Sequence, residues 1–136
     1  MKDDFTFTDV EKIIHHAKRS TVQLWVRDGL IVPKENKTGR GLSRTYSFDN
    51  LIEIWVAVEL SLAWGMSTDG LKSIFKKPSF KNAVKNRKVF SYLCPPREGL
   101  SSGWLRREGT PTDGKPFTSA IQINIVEVEK ELKRRI

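Results

Sequence analysis

Two neighbouring stretches decide how this chain is read: Ser20–Pro33, STVQLWVRDGLIVP, and Gly39–Ser47, GRGLSRTYS. The first spaces Val22, Trp25 and Val26 as the inward face of a short helix, with Gly29 placed as its C-terminal stop. Ser20 and Gln23 make a Ser-x-x-Gln box at its start, and Leu30, Ile31 and Val32 return the chain to the core. The second stretch belongs to PKENKTGRGLSRTYS, which opens on proline and holds two glycines, so a loop or tight hairpin is predicted there.

Upstream, TDVEKIIHHA predicts another helix. Thr8 and Glu11 have capping-box spacing, and Val10, Ile13, Ile14 and Ala17 form one apolar stripe. Two short helices separated by a few residues outline a helix-turn-helix. Lys18, Arg19, Ser20, Gln23 and Arg27 then fall at the start or on the solvent face of the second helix. Arginine and lysine bind guanine edges or phosphates, glutamine binds adenine edges, and serine reaches base or backbone. An ordinary solvated helix face would also be polar, so the following loop decides between them. It carries Lys34, Lys37, Arg40 and Arg44 against Glu35 alone. Between Lys12 and Arg44 there are eight basic residues and two acids, Asp28 and Glu35. A basic loop directly after such a helix has the layout of a wing, with the helix in the major groove and the loop on adjacent phosphates.

Composition agrees with that expectation. The 136 residues fit one domain, or one small domain with an appendage, and 38% apolar residues suffice for an ordered core. A formal charge of +8 favours a polyanionic partner. The acidic start MKDDF lacks the apolar run of a signal peptide, and IWVAVELSLAW is too short to span a bilayer, which makes a cytoplasmic protein without membrane contact the expectation. Cys94 is the single cysteine, excluding an intramolecular disulfide or a multi-thiolate metal site, and a buried inert thiol is its expected role. His15-His16 has no Cys or carboxylate partner at metal spacing, and no GxSxG, HExxH or CxxC occurs, so neither an enzyme, a cofactor nor a metal is expected.

Ser47 is placed to cap a third helix through Leu51, Ile54, Trp55, Val58 and Leu62, ending at Gly65. Ser67 or Thr68 caps a fourth, with Leu71, Ile74 and Phe75 apolar, before Pro78. Trp25, Trp55 and Trp64 lie in apolar stripes and read as core. Beyond Pro78, FKNAVKNRK predicts a short basic helix, and VFSYLC, SGWLRRE and TSAIQINI predict strands. Pro95-Pro96 and Gly99 break the first pair of strands, and Asp113-Gly114 marks a turn between the last two. VEVEKELKRRI returns to helical spacing through Val128, Leu132 and Ile136, with Glu131 and Arg135 paired at i,i+4.

FTFTDVEKII, VQLWVRDGLIVP, GRGLSRTYSFDNL and LAWGMSTDGLKSIF, in that order, resemble the DNA-binding domain of MerR-type transcriptional regulators. Trp25 with Arg27-Asp28-Gly29-Leu30, then Arg44-Thr45-Tyr46-Ser47, then Gly65-Met66-Ser67 carry the resemblance in register over about residues 5–76. It implies a winged helix-turn-helix, a symmetric dimer and a distorted promoter-like palindrome, with RNA polymerase as a candidate further partner. His15-His16 stands where the family carries a glycine, and no heptad repeat follows Pro78.

The expected protein is therefore α+β and mainly α in its first half. A winged helix-turn-helix over residues 1–78 precedes an α/β extension over residues 79–136, with a small antiparallel β element and a C-terminal helix. The expected function is a sequence-specific double-stranded DNA-binding regulator acting as a homodimer. Its contact residues would be Lys18, Arg19, Ser20, Gln23, Arg27, Lys37, Arg40, Arg44 and Tyr46. The Ile121-Ile123-Ile125 strand and the Val128-Leu132-Ile136 helix would form the dimer interface, unless they pack onto the third helix of their own chain. Two alternatives stand beside this reading: an architectural, excisionase-like DNA protein, and a protein-interaction module with a basic face.

Overall fold

The computed structural model describes residues 3–36, 44–94 and 119–136. Its helices run in the order α1 (Phe7–Ile13), α2 (Arg19–Arg27), α3 (Phe48–Ala63), α4 (Thr68–Phe75), α5 (Pro78–Asn86) and α6 (Ile125–Arg135). Two short antiparallel sheets complete it: β1 (Glu35–Asn36) with β2 (Arg44–Thr45), and β3 (Val89–Cys94) with β4 (Ser119–Asn124). No described helix is long and apolar enough to cross a membrane.

α3 occupies the centre because its sequence leaves it no alternative. Leu51, Ile52, Ile54, Val56, Ala57 and Leu60 point in several directions and are all buried, so a single neighbour could not cover them. α4 and α5 pack along it, and α6 returns from the C-terminal end to cover another face. Ser47 caps α3 as expected: its hydroxyl accepts from the Asn50 amide while the Asn50 carboxamide accepts from the Ser47 amide. The helix ends before Gly65, whose φ of +64° turns the chain without a Cβ clash and brings Met66 into the core. Ser67 caps α4, and Pro78 begins α5, where the missing N–H costs nothing.

The first two helices begin earlier than the sequence suggests. α1 is capped by Thr6, which exchanges hydrogen bonds with Asp9, rather than by Thr8 and Glu11. The cause is tertiary. Phe5 and Tyr46 exchange two backbone hydrogen bonds of 2.9 and 2.8 Å, so the chain leaves an extended bridge at residue 5 and turns immediately. α2 likewise starts at Arg19 with Lys18 as an uncapped N-cap, which places Ser20 inside the first turn instead of in a capping box. At its other end Gly29 (φ +79°) donates to Val26 and Leu30 to Trp25, the Schellman pattern that the glycine predicts.

In the second half Phe90 pairs with Ile123 and both are buried, while the neighbouring Ser91–Gln122 pair faces solvent. Ile125 is the first residue of α6 rather than the last of the strand, because Asn124 caps the helix by accepting from the Glu127 amide. Phe80 stacks on Phe75 and meets Phe90 edge-on, with ring centroids 4.6 and 5.2 Å apart, which ties β3 to α4 and α5. One buried cluster thus runs from Phe5 to Leu132. Ile123, Ile125, Val128 and Leu132 belong to it, so these four residues of the surface expected to meet a second copy are buried within the chain, α6 against α3, while Ile136 is 51% exposed. Leu62 (63% exposed), Trp64 (38%) and Val32 (71%) correct the opposite way: expected inside, they lie outward. The strand SGWLRRE, the Pro95-Pro96 and Asp113-Gly114 breaks and the side chain of Cys94 fall outside what is described.

Arg87 ties three elements at once. It closes α5 with a left-handed φ of +54°, and its guanidinium contacts Glu129 of α6 at 2.7 Å and Asp49 of α3 at 2.8 Å over the Phe48 ring. Arg87→Ala should lower the unfolding free energy by about 2–3 kcal/mol, because two half-buried carboxylates lose their partner. Arg87→Gly should recover about 1 kcal/mol of that, since glycine bears the left-handed backbone without strain. Denaturant titration of both variants decides, and equal stability would remove the backbone contribution.

Glu53 gives a second check. Burial is the main reason its carboxyl titrates at about 7 instead of 4.5; Asp49 adds to the rise, while the Asn50 hydrogen bond and Lys81 oppose it. The folded chain therefore binds this proton more tightly than the unfolded chain does. Its contribution to stability is complete below about pH 4.5 and is lost as pH rises through 7. Glu53→Gln should abolish that loss, gaining up to about 3 kcal/mol on the wild type between pH 4.5 and 8. A constant difference between the two proteins over that range would show that Glu53 is solvated.

Candidate nucleic-acid interface

α2 has one face committed inward and one outward. Val22, Trp25 and Val26 are buried, while Ser20, Gln23 and Arg27, three and four positions apart, share the exposed side. Arg19 flanks them at the N-terminus, where unpaired amides already favour an anion. Its guanidinium lies 4.6 Å from the centre of the Phe7 ring, which fixes the start of α2 against α1. The five residues between the helices include exposed His15 and His16, and His16 (φ +69°) takes the left-handed position of the turn.

The hairpin that follows places Arg44 next to the same corner. Asn36 pairs with Arg44 and Glu35 with Thr45, so residues 37–43 join two paired strands. Burial raises the pKa of the Tyr46 hydroxyl, and Arg44 and Arg19 both oppose that rise through their charge. Two cations from separate elements, the first turn of α2 and β2, therefore lie within electrostatic reach of one tyrosine. The candidate interface is the exposed face of α2 together with this neighbouring hairpin.

The expected contact residues fare differently. Lys18, Arg19, Ser20, Gln23 and Arg27 are exposed on or beside α2, and Arg27 reaches Asp28 only at 4.0 Å. Arg44 is half-buried on the hairpin. Lys37 and Arg40 lie outside the described residues. Tyr46 is corrected: it is 2% exposed, part of the bridge with Phe5, and supports the corner from within instead of offering its ring to a ligand. Lys34, counted among the basic residues of the loop, is paired with Asp4 at 2.9 Å and Asp3 at 3.3 Å. Its charge is largely answered within the chain.

Two supporting residues escape a reading by motif. Asp3 accepts from the Phe48 amide at 2.8 Å, a bond that holds its carboxyl below the usual carboxylate range and anchors the N-terminal segment to α3. Phe7 backs Arg19. The acidic MKDDF start and the Phe5-x-Phe7 spacing were the available signals, but neither indicates which cation it meets. Among the described residues no group of three or more His, Cys, Asp or Glu could hold a metal ion. No protein-family model matches this chain, and no curated protein matches it either.

Proposed function

We propose that this chain is a sequence-specific double-stranded DNA-binding regulator that uses a winged helix-turn-helix of the MerR type. The observation that carries the reading is the exposed Ser20–Gln23–Arg27 face of α2, whose opposite side is fixed in the core, followed by the β1–β2 hairpin that bears Arg44. α2 would lie in the major groove, and the hairpin with its seven-residue connection, which carries Lys37 and Arg40, would lie against the adjacent backbone. One such module reads one half-site, so a regulator of this kind would act as two copies on an inverted repeat.

A second reading gains from the fold. Ile123, Ile125, Val128 and Leu132 lie in the core of the chain, which takes these four residues out of the dimer surface that the sequence offered, while Ile136 stays half exposed. Chains that bind side by side, as an architectural DNA protein does, need no such surface. Selection of bound sequences from a random duplex library separates the two: an inverted repeat supports the dimeric regulator, and direct repeats support the architectural protein. No enrichment removes both.

Within the regulator reading, Gln23→Ala or Arg19→Ala should cost about 1–3 kcal/mol on the selected site and relax the preference at one position of each half-site. Equal weakening on selected and random duplexes would exclude base readout by that residue. The triple substitution of Lys37, Arg40 and Arg44 by Ala should weaken all sequences alike and flatten the log–log salt dependence by about one unit per lost contact. An unchanged slope would place the hairpin away from DNA.

A further inference from the structure

The C-terminal half of α3 faces the end of β4 and the first turn of α6 across an open cleft of about 330 Å³. Its walls carry the indoles of Trp55 and Trp64, the carboxylates of Glu59 and Glu127, and the carboxamides of Gln122 and Asn124. Its remaining lining is aliphatic, and among the described residues no lysine or arginine lines it, on a chain whose formal charge is +8. Aromatic faces, hydrogen-bond acceptors and negative charge gathered in one concavity select for a cation that can also donate hydrogen bonds.

The chain already makes this interaction once beside the cleft. The guanidinium of Arg135 lies 4.6 Å from the centre of the Trp55 ring and is bonded to Glu131 at 3.0 Å. Trp55 thus accepts a guanidinium that is held by a carboxylate. Inside the cleft Glu59 uses one oxygen to accept from the Trp55 indole N–H at 3.1 Å, which orients the carboxylate beside the ring. Glu127 meets Lys130 at 3.5 Å through two well-exposed side chains, a surface pair weak enough for a ligand to displace.

We propose that this cleft binds a small alkylguanidinium or alkylammonium ligand, with its cationic head between the two indoles and the carboxylates of Glu59 and Glu127. A cavity of this size takes a head group with a short alkyl chain. The carboxamides of Gln122 and Asn124 favour a donor-bearing head over a quaternary ammonium, which has no N–H to give. The proposal is independent of the DNA reading, because binding is measured on the free chain.

The test uses the full-length protein, agmatine as the probe and n-butylurea as a neutral control of similar shape. Indole N–H resonances are followed by NMR, with Trp55→Phe and Trp64→Phe assigning two of the four tryptophans. The Trp55 and Trp64 signals should shift saturably with agmatine below about 10 mM, as suits so small a ligand, and stay in place with n-butylurea. Glu59→Gln and Glu127→Gln should each weaken binding about threefold to fivefold. Both keep an acceptor oxygen, so the melting temperature should not move. Three outcomes would overturn the assignment: no saturable shift, equal shifts with the neutral control, or undiminished affinity in the Glu59→Gln/Glu127→Gln double variant.

Discussion

The burial of α3 is the constraint on which the other elements depend. Sixteen residues long and apolar on several sides, it cannot be stable at a surface, and each neighbouring element covers a part of it. α4 and α5 cover one side and α6 another, while the segment before α1 reaches α3 through Asp3 and the Phe48 amide. Because α3 is shared, the first and second halves of the chain have one core. The candidate DNA-contacting corner is built on the end of this assembly where α3 begins. Ser47, which caps α3, directly follows Tyr46, which closes the bridge to Phe5.

The charged residues divide into those the fold consumes and those it leaves outward. Lys34 is taken up by Asp3 and Asp4, Arg87 by Asp49 and Glu129, and Arg135 by Glu131, the Trp55 ring and the Ile13 carbonyl. These contacts join segments distant in sequence: the N-terminus to the loop, α3 to α5 and α6, and α6 to α1. Lys18, Arg19 and Arg27 instead remain exposed, with the uncharged Gln23, on or beside a helix whose opposite face is fixed in the core. Rigid support beneath an outward polar face is what base readout demands, since a hydrogen bond to a base edge tolerates little misplacement.

Much of this organisation is legible in the residues themselves. Helical periodicity locates α2, α3, α4 and α6, Ser47 and Ser67 mark two starts, and Gly29 and Gly65 mark two stops, because caps and left-handed turns depend on a few adjacent side chains and backbone groups. The alternation at Ile121, Ile123 and Ile125 locates β4, although Ile125 itself goes to the helix that Asn124 caps. The polar face of α2 likewise follows from its spacing alone.

What the sequence could not determine was which apolar surface meets which, or where a charge finds its partner. Periodicity shows that α6 has an apolar side but not whether that side meets another chain or α3; only the tertiary structure assigns Val128 and Leu132 to α3. It places Leu62 and Trp64 in a helical stripe, whereas the folded chain leaves them 63% and 38% exposed at the end of α3. Thr8 and Ser20 had the right chemistry for caps, yet the Phe5–Tyr46 bridge and the start of α2 at Arg19 moved both helix starts upstream. Tyr46 looked like part of a basic loop until two backbone hydrogen bonds to Phe5 drew its ring inside. Local signals depend on residues a few positions apart and survive in any fold, whereas burial and ion pairing depend on segments that only folding brings together.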